Sequence, residues 1–307
     1  MTVRAAALGA AVACLTARPA AACDPVRFYG TYSVGRRAGT GRVSLAARVR
    51  EVQALGGNMI VATGDGEKVL DVLPRGMRAV PGCNLMRRKD WMRDGAWSEP
   101  AARARLAVLA RRFANDPRVY GVCLTHEVTE YADQERRRWM YRLAKEYFPR
   151  KKVLHYYGRL WHRGGAGEQI HAYGLGGAVE TDVVFVSVQA VRDGRFDPGR
   201  AAKLAQVLAE AARTPGIPVW VQTSINADHR GVTGPESMTA VWGREGENMP
   251  RWTRLLFRTV HTARGGRPLR VEGFFWRSLG RFPYDLGWPG FGAHRRRAAA
   301  IGRARCR

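Results

Sequence analysis

The sequence predicts a single (β/α)8 barrel, and three observations lead to this fold class. Extended runs rich in β-branched and aromatic residues alternate with helical stretches along the chain, which is typical of parallel βαβ units. Eight such runs are present, the number of parallel strands that closes a barrel. The chain has 307 residues, of which 46% are hydrophobic, enough for one large core. An open doubly wound sheet is the alternative, but no G-x-G-x-x-G pattern follows the first strand.

Each predicted strand is a short extended run bounded by turn residues or by a helical stretch. The eight runs cover residues 26–34, 58–63, 77–83, 118–126, 153–157, 182–188, 218–224 and 270–276. Pro81 lies within the third run, which is unfavourable inside a strand. The segment 158–177 is rich in glycine and predicts a long loop at the mouth of the barrel.

The helical stretches show apolar residues spaced by three or four positions and residues typical of helix ends. Gly56 and Gly57 end the first stretch, Ser98 and Pro100 open the third, and Asp133 opens the next. The predicted helices cover 44–55, 67–73, 98–113, 133–147 and 197–211, and a further one begins at residue 250.

The fourth strand leads directly to an acid. Alternate side chains of a strand share a face, so one row is expected to face the barrel interior: Gly121, Cys123, Thr125 and Glu127. The other row is bulkier and is expected to face the helices: Tyr120, Val122, Leu124 and His126. Glu127 would then lie at the C-terminal mouth, where such barrels carry their active sites. A solvated carboxylate at a strand end is the alternative.

The N-terminus resembles an export signal. Arg4 precedes a short apolar run, and Ala20, Ala21 and Ala22 offer small residues for cleavage. We therefore expect residues 1–22 to be a signal peptide and residues 23–307 to be the barrel domain, with a frayed N-terminal helix as the alternative. No stretch approaches the roughly 20 apolar residues of a membrane span.

Cleavage after residue 22 would leave four cysteines, which allow three pairings. We favour Cys23 with Cys306, because a closed barrel brings its ends together, and Cys83 with Cys123 on neighbouring strands. Lipidation of Cys23 is an alternative, although the residue three positions before it is not leucine. The cysteines are too far apart in sequence to form a zinc motif.

The formal net charge of +25 raises the question of an acidic polymer as partner. Only six of the 51 basic residues are lysine, a ratio that fits the codon bias of a GC-rich genome. The arginines are also scattered over the predicted helices, and the longest runs, at 136–138 and 295–297, have only three residues. A basic surface for acidic polymers is therefore an option and not the main function.

Three segments resemble glycoside hydrolase (β/α)8 barrels. Residues 52–61 are similar to the turn from the first helix to the second strand in those enzymes, and residues 121–127 to their fourth strand, which ends in a catalytic glutamate. Residues 273–276 are similar to their eighth strand, whose terminal tryptophan forms a floor for the sugar ring. The resemblance implies that Glu127 is a general acid/base and that Trp276 contacts a sugar.

The sequence also departs from two branches of this superfamily. In the retaining barrels with glutamates on strands four and seven, the fourth-strand acid usually follows an asparagine, and here His126 precedes Glu127. Their nucleophile closes strand seven, whereas residues 222–226 of this chain contain no acid. Chitinase-like barrels carry three aspartates before the glutamate, and Tyr120, Cys123 and Thr125 stand at those positions. Substrate-assisted hydrolysis is therefore not implied.

Glycoside hydrolysis normally uses two carboxyl groups about 5–10 Å apart. Glu127 is the first by position. Asp228, in a polar loop after strand seven, is the preferred second group. Asp65 lies between glycines, where a turn-forming role is the alternative, and Glu130 is expected to start the following helix. Glu272 is expected near the bottom of the barrel and is left out.

Aromatic, amide and hydroxyl groups suit the recognition of sugars. Residues of these types at the predicted C-terminal strand ends are Tyr32, His155, Tyr157, Gln189, Gln222, Asn226 and Trp276. For each one alone, packing is the alternative role.

These observations predict an exported, monomeric protein that resembles glycoside hydrolases and takes a carbohydrate as substrate or ligand. We expect no cofactor and no metal. The alternative is a non-catalytic exported barrel that binds a glycan or an acidic polymer. A metal-dependent phosphodiesterase would need converging acids and histidines, whereas the adjacent His126 and Glu127 are expected to face opposite ways.

Overall fold

Eight parallel strands form one sheet that curls into a nearly closed barrel, which confirms the predicted (β/α)8 fold. The computed structural model describes residues 27–34, 44–62, 66–83, 85–126, 133–157, 180–188, 191–192, 195–196, 217–223, 247–249, 270–277 and 292–303. The strands are β1 (Phe28–Val34), β2 (Met59–Ala62), β3 (Arg78–Val80), β4 (Gly121–His126), β5 (Lys152–Tyr157), β6 (Val183–Val188), β7 (Pro218–Thr223) and β8 (Arg270–Arg277). Their order around the barrel is β3-β2-β1-β8-β7-β6-β5-β4.

The two ends of the sheet meet at a seam between β3 and β4. Ala79 and Val119 form an isolated parallel bridge there. The Tyr120 N–H donates to the Ala79 carbonyl at 3.0 Å. A disulfide joins Cys83, which follows β3, to Cys123 of β4, so this predicted pairing is confirmed. Cys23 and Cys306, the other predicted pair, lie outside the described residues.

The described helices are α1 (Leu45–Ala54), α2 (Gly66–Val69), α3 (Arg88–Trp91), α4 (Glu99–Phe113), α5 (Gln134–Tyr147) and α6 (Gly292–Arg303). Side chains cap two of them as predicted. Ser98 Oγ accepts a hydrogen bond from the Ala101 N–H at 3.4 Å, and Asp133 Oδ1 accepts one from the Arg136 N–H at 2.8 Å.

Other elements differ from the prediction or lie beyond it. The predicted helices at 197–211 and from residue 250 lie outside the described residues. Two short antiparallel hairpins and helix α6 were not predicted. The buried residues of α6 include Ala298, Ala299 and Gly302, whose small side chains produce little hydrophobic periodicity in the sequence.

Buried side chains form two layers, one on each side of the strands. The outer layer fills the space between the strands and the helices and is mostly aliphatic. The inner layer fills the barrel and is rich in aromatic residues, among them Phe28, Tyr156, Phe185, Trp220 and Phe275. A residue's layer therefore tells whether its side chain can reach a ligand in the barrel mouth.

Among the described residues, no helix has both the length and the apolar character required to cross a membrane.

Candidate functional site

The N-terminal end of the barrel interior is closed around Glu272. This carboxylate is 3% exposed. Its Oε2 accepts hydrogen bonds from the Tyr120 hydroxyl at 3.0 Å and from Trp220 Nε1 at 3.3 Å, and Arg27 Nη1 lies 3.2 Å from Oε1. Glu272 thus lies where the sequence analysis expected it, and its contacts are structural.

Aromatic rings fill the interior next to this carboxylate. Tyr120 stacks on Trp220 with ring centroids 5.4 Å apart, and Phe28 meets Tyr120 edge-on at 4.6 Å. Phe275 lies against both Trp220 and Phe185. Tyr120 therefore faces the interior. The prediction that it faces the helices, in one row with Val122 and Leu124, is wrong. These rings form an apolar floor beneath the C-terminal half of the barrel.

A polar pair lies towards the mouth from this floor. The Tyr156 hydroxyl donates a hydrogen bond to Gln222 Oε1 at 2.6 Å. Gln222 comes two residues after Trp220 on β7 and is followed by Thr223, the last residue of the strand. Its side chain has no exposed surface, and its Nε2 has no hydrogen-bond partner within the part of the chain that the structure describes. Of the predicted sugar-binding residues, Gln222 is thus found facing the interior.

A β-bulge interrupts β4 just before its end. Cys123 pairs with Leu154 and Thr125 pairs with His155, so Leu124 is an extra residue on β4. Cys123 belongs to the inner layer and Leu124 to the outer one. Thr125 Oγ1 lies 2.7 Å from Nδ1 of His155. The predicted inner row is therefore wrong at Thr125, and alternation no longer assigns a face to residue 127.

His155 lies on the outer face of β5. Its neighbour Val153 is in the outer layer, whereas Leu154 and Tyr156 are in the inner one. Burial, together with the nearby positive charge of Arg137 in α5, lowers the pKa of His155 to about 3, so the imidazole is neutral at pH 7. This placement opposes the sugar-binding role predicted for His155, and we leave it out of the site.

Next to His155, Arg137 forms an ion pair with Glu180. The Arg137 Nε lies 3.2 Å from Glu180 Oε1, and both side chains are almost completely buried. The pair connects α5 to the segment that leads into β6. It supports the outer side of the barrel wall at the level of the β4 bulge.

Trp276 also lies in the outer layer. A second bulge causes this: Val219 pairs with Val271 and Trp220 with Gly273, so Glu272 is an extra residue on β8. Glu272 and Phe275 face the interior, and Trp276 faces outwards. Its indole N–H donates to the Tyr29 hydroxyl, which in turn donates to the Ala298 carbonyl of α6 at 2.7 Å. The predicted sugar floor at Trp276 does not fit this position.

The remaining predicted site residues fall into two groups. Those that lie outside the described residues are Glu127, Asp228, Asp65, Glu130, Gln189 and Asn226. Tyr32 and Tyr157 belong to β1 and β5, but their side chains are outside the description. Among the described residues, no group of three or more His, Cys, Asp or Glu side chains is arranged to hold a metal ion.

Tyr156 was not predicted as a site residue, whereas its neighbour Tyr157 was. Each face of β5 carries an apolar residue, Val153 on one and Leu154 on the other, so alternation alone does not tell which tyrosine faces the interior.

The comparisons with known proteins concern the fold. No protein-family model matches the chain, and no curated protein matches its sequence significantly. Among solved structures, a GH5_18 variant from Streptomyces cattleya in complex with Manβ1-4GlcNAc is similar, with a TM-score of 0.57 and 16% identity over 91% of this chain and 80% of that chain.

Two further structures show the same likeness. The β-D-glucuronidase of Dictyoglomus thermophilum has a TM-score of 0.58 and 13% identity over 91% of this chain, which spans 51% of that chain. The catalytic domain of the Thermobifida fusca endoglucanase Cel5A, in complex with cellotetraose, has a TM-score of 0.53 and 11% identity over 92% of this chain and 93% of that chain. The chain thus has the fold of (β/α)8 glycoside hydrolases.

Proposed function

We propose that the protein is an exported glycoside hydrolase that acts on a polysaccharide or glycoconjugate, with Glu127 as general acid/base. The observation that carries this proposal is the end of β4 at His126. Glu127 is the next residue in the chain, and catalytic residues of (β/α)8 barrels come from the C-terminal ends of strands. The shared fold with glycoside hydrolases supports the same conclusion.

The chemistry requires a second carboxyl group. Glu127 would protonate the leaving oxygen of the glycosidic bond, while a carboxylate on the other side of the sugar acts as nucleophile or activates water. Asp228, in the segment after β7, is the first candidate for that group, and Asp65, in the segment after β2, is the second. Both segments follow C-terminal strand ends, which is the side of the barrel that the mechanism needs.

The test is a hydrolysis assay on a panel of Manβ1-4GlcNAc, cellotetraose, an aryl β-D-glucuronide and several polysaccharides. We expect Glu127→Gln to lower the rate at least about 100-fold, as is usual for loss of a general acid/base. Glu146→Gln is the matched control, because Glu146 is an exposed residue of α5 that pairs with Arg103. Equal activity of Glu127→Gln and wild type would refute the assignment.

The second carboxylate is identified by Asp228→Asn and Asp65→Asn in the same assay. We expect Asp228→Asn to lose activity as strongly as Glu127→Gln and Asp65→Asn to retain most of it. The opposite result would move the role to Asp65. Full activity of both variants would remove the two-carboxylate mechanism in this form.

A non-catalytic glycan-binding barrel is the second candidate, and the composition of β7 favours it. None of the six residues from Pro218 to Thr223 is acidic, although retaining barrels of the related kind close this strand with their nucleophile. This alternative predicts saccharide binding without turnover. Calorimetric titration of the same panel separates it from the hydrolase.

A basic groove on α4 suits an acidic polymer as the ligand of that second candidate. Arg105, Arg111 and Arg112 line an open groove of about 330 Å³ on the helix surface. Binding of polygalacturonate or heparin that weakens steeply with salt, and that is reduced in Arg111→Gln, would support this ligand.

Export is tested on the protein that the cells release. We expect its N-terminal residue to be Cys23, since cleavage is proposed after residue 22. A released chain that still begins at Met1 would contradict the signal peptide. A diacylglycerol adduct on Cys23, seen by mass spectrometry, would establish the lipid anchor instead.

A further inference from the structure

The inner layer of the barrel contains a hydrogen-bond donor that the described protein atoms leave unused. Gln222 is fully buried, and its side chain lies in the interior beside Tyr156 of β5. The backbone of Gln222 pairs with Ser187 of β6 and Phe275 of β8, so a regular sheet fixes its position. A polar group on such a frame is held in one place.

Tyr156 sets the direction of the Gln222 amide. Its hydroxyl donates to Oε1 at 2.6 Å, so the oxygen side of the amide is occupied. The nitrogen side carries two N–H donors, and Nε2 has no partner among the residues that the structure describes. Buried donors are almost always hydrogen-bonded in folded proteins, because leaving one unpaired costs free energy. An acceptor from outside the described residues would satisfy this donor.

The surroundings limit the chemistry of that acceptor. Tyr156 meets Phe185 edge-on at 5.1 Å, and Phe275 lies 5.7 Å from Phe185, so apolar rings lie beside and beneath the pair. A neutral amide donor over aromatic rings suits a neutral oxygen attached to an apolar carbon frame. A sugar hydroxyl or ring oxygen has this chemistry, with C–H groups available for the rings.

We propose that the Gln222 amide nitrogen binds an oxygen of a saccharide in the deepest subsite of the barrel, and that Tyr156 is a positioning residue that orients this amide. The inference rests on the proposed function for its ligand class. Gln222 is already among the predicted sugar-binding residues; the inference adds the atom that contacts the sugar and the hydroxyl that orients the amide. Binding, and not catalysis, is the property it concerns.

The variants Gln222→Met and Tyr156→Phe test the two roles. Gln222→Met keeps the length of the side chain and removes the donor. We expect it to weaken saccharide binding about tenfold, the effect of one buried hydrogen bond, while its melting temperature stays equal or rises. Tyr156→Phe frees the Gln222 amide to turn, and we expect it to weaken saccharide binding about threefold.

Dissociation constants are measured by calorimetry for Manβ1-4GlcNAc, cellotetraose and the aryl β-D-glucuronide, in the Glu127→Gln background so that turnover does not interfere. In the double variant Gln222→Met/Tyr156→Phe, we expect no loss beyond that of Gln222→Met, because Tyr156 acts through Gln222. Additive losses would show that Tyr156 contacts the sugar directly and would overturn its positioning role.

Other outcomes overturn the binding role. If folded Gln222→Met binds every panel saccharide within twofold of the parent, the amide nitrogen does not contact the saccharide. If no panel saccharide binds at all, the ligand class is wrong. Hydrolysis that survives in Glu127→Gln, combined with weaker binding in Gln222→Met, would refute the proposed acid and leave the present inference intact.

Discussion

His155 shows how burial fixes the charge of a single residue. Its imidazole lies behind the β4 bulge, bonded to Thr125 and next to the buried pair Arg137–Glu180. Because water is excluded and a guanidinium is near, protonation of His155 is strongly unfavourable in the folded protein. The unfolded chain has no such restriction.

We therefore predict that His155 makes the protein sensitive to acid. The pKa of His155 is about 3 in the folded protein, against about 6.5 for an unfolded histidine. Between these values the unfolded state binds one more proton, so stability falls as pH falls, by about 1.4 kcal/mol for each pH unit. His155→Asn, which does not titrate, should lose less stability between pH 6.5 and 4.5 than wild type.

Urea unfolding of both proteins at these two pH values measures the effect. Carboxylates that titrate in the same range contribute equally to wild type and variant, so the difference isolates the histidine. The same pH dependence in both proteins would show that His155 is protonated in the folded state.

For single residues, the sequence predicted which residue types lie near the strand ends better than it predicted which face of the strand their side chains occupy. Gln222 was selected because an amide near a strand end suits a sugar, and it does face the interior. His155 and Trp276 were selected on the same grounds and face outwards. Composition at a strand end cannot decide the face, which depends on the register of each strand against its neighbours.

The strands themselves explain most of these differences. Bulges on β4 and β8 each insert one residue and reverse the alternation beyond it. On β8 a signal was present, since a glycine inside a strand often marks a bulge or a close backbone approach, and Gly273 lies at that place. On β4 the bulge falls at Leu124 and Thr125, whose side chains give no such signal.

The β8 bulge yields a prediction for Gly273→Ala. A Cβ atom at Gly273 would lie 2.6 Å from Phe275 Cε2 and 2.9 Å from two Trp220 ring atoms. Both rings belong to the packed floor of the barrel, so they can move only by disturbing that floor. We expect a loss of about 1–3 kcal/mol in the free energy of unfolding, the usual cost of overpacking a core.

Gly292→Ala is the matched control for this substitution. At Gly292, the first residue of α6, the nearest atoms to a Cβ are arginine side-chain nitrogens at 3.6 Å and 3.8 Å. Stability should change by no more than about 0.5 kcal/mol, as for most surface substitutions. Thermal and urea unfolding compare the two variants, and equal stabilities would show that the floor adapts without cost.

For the whole molecule, the order of elements was the most predictable feature. Eight strands that alternate with helical stretches restrict the chain to few topologies, because parallel strands require crossover connections of consistent handedness. The way in which the barrel closes was harder to predict from the sequence. β3 has only three residues, and among the described residues its backbone pairs at the seam with residues 118–120, just before β4, through one bridge and adjacent hydrogen bonds. Pro81, directly after β3, cannot donate to extend this ladder.

The disulfide at this seam is therefore expected to stabilise the closed barrel. Cys83 and Cys123 are separated by 40 residues and fully buried. A cross-link over a loop of that length stabilises a protein by about 4 kcal/mol, through restriction of the unfolded chain. In urea unfolding, the double variant Cys83→Ala/Cys123→Ala should be less stable than wild type by about this amount.

The stability of this variant should also become insensitive to reductant, provided that the predicted pair Cys23 and Cys306 is removed as well. Cys23→Ala/Cys306→Ala alone is the control for that second pair. If the seam variant unfolds at the same urea concentration as wild type, the backbone bridge at Ala79 is sufficient to keep the barrel closed.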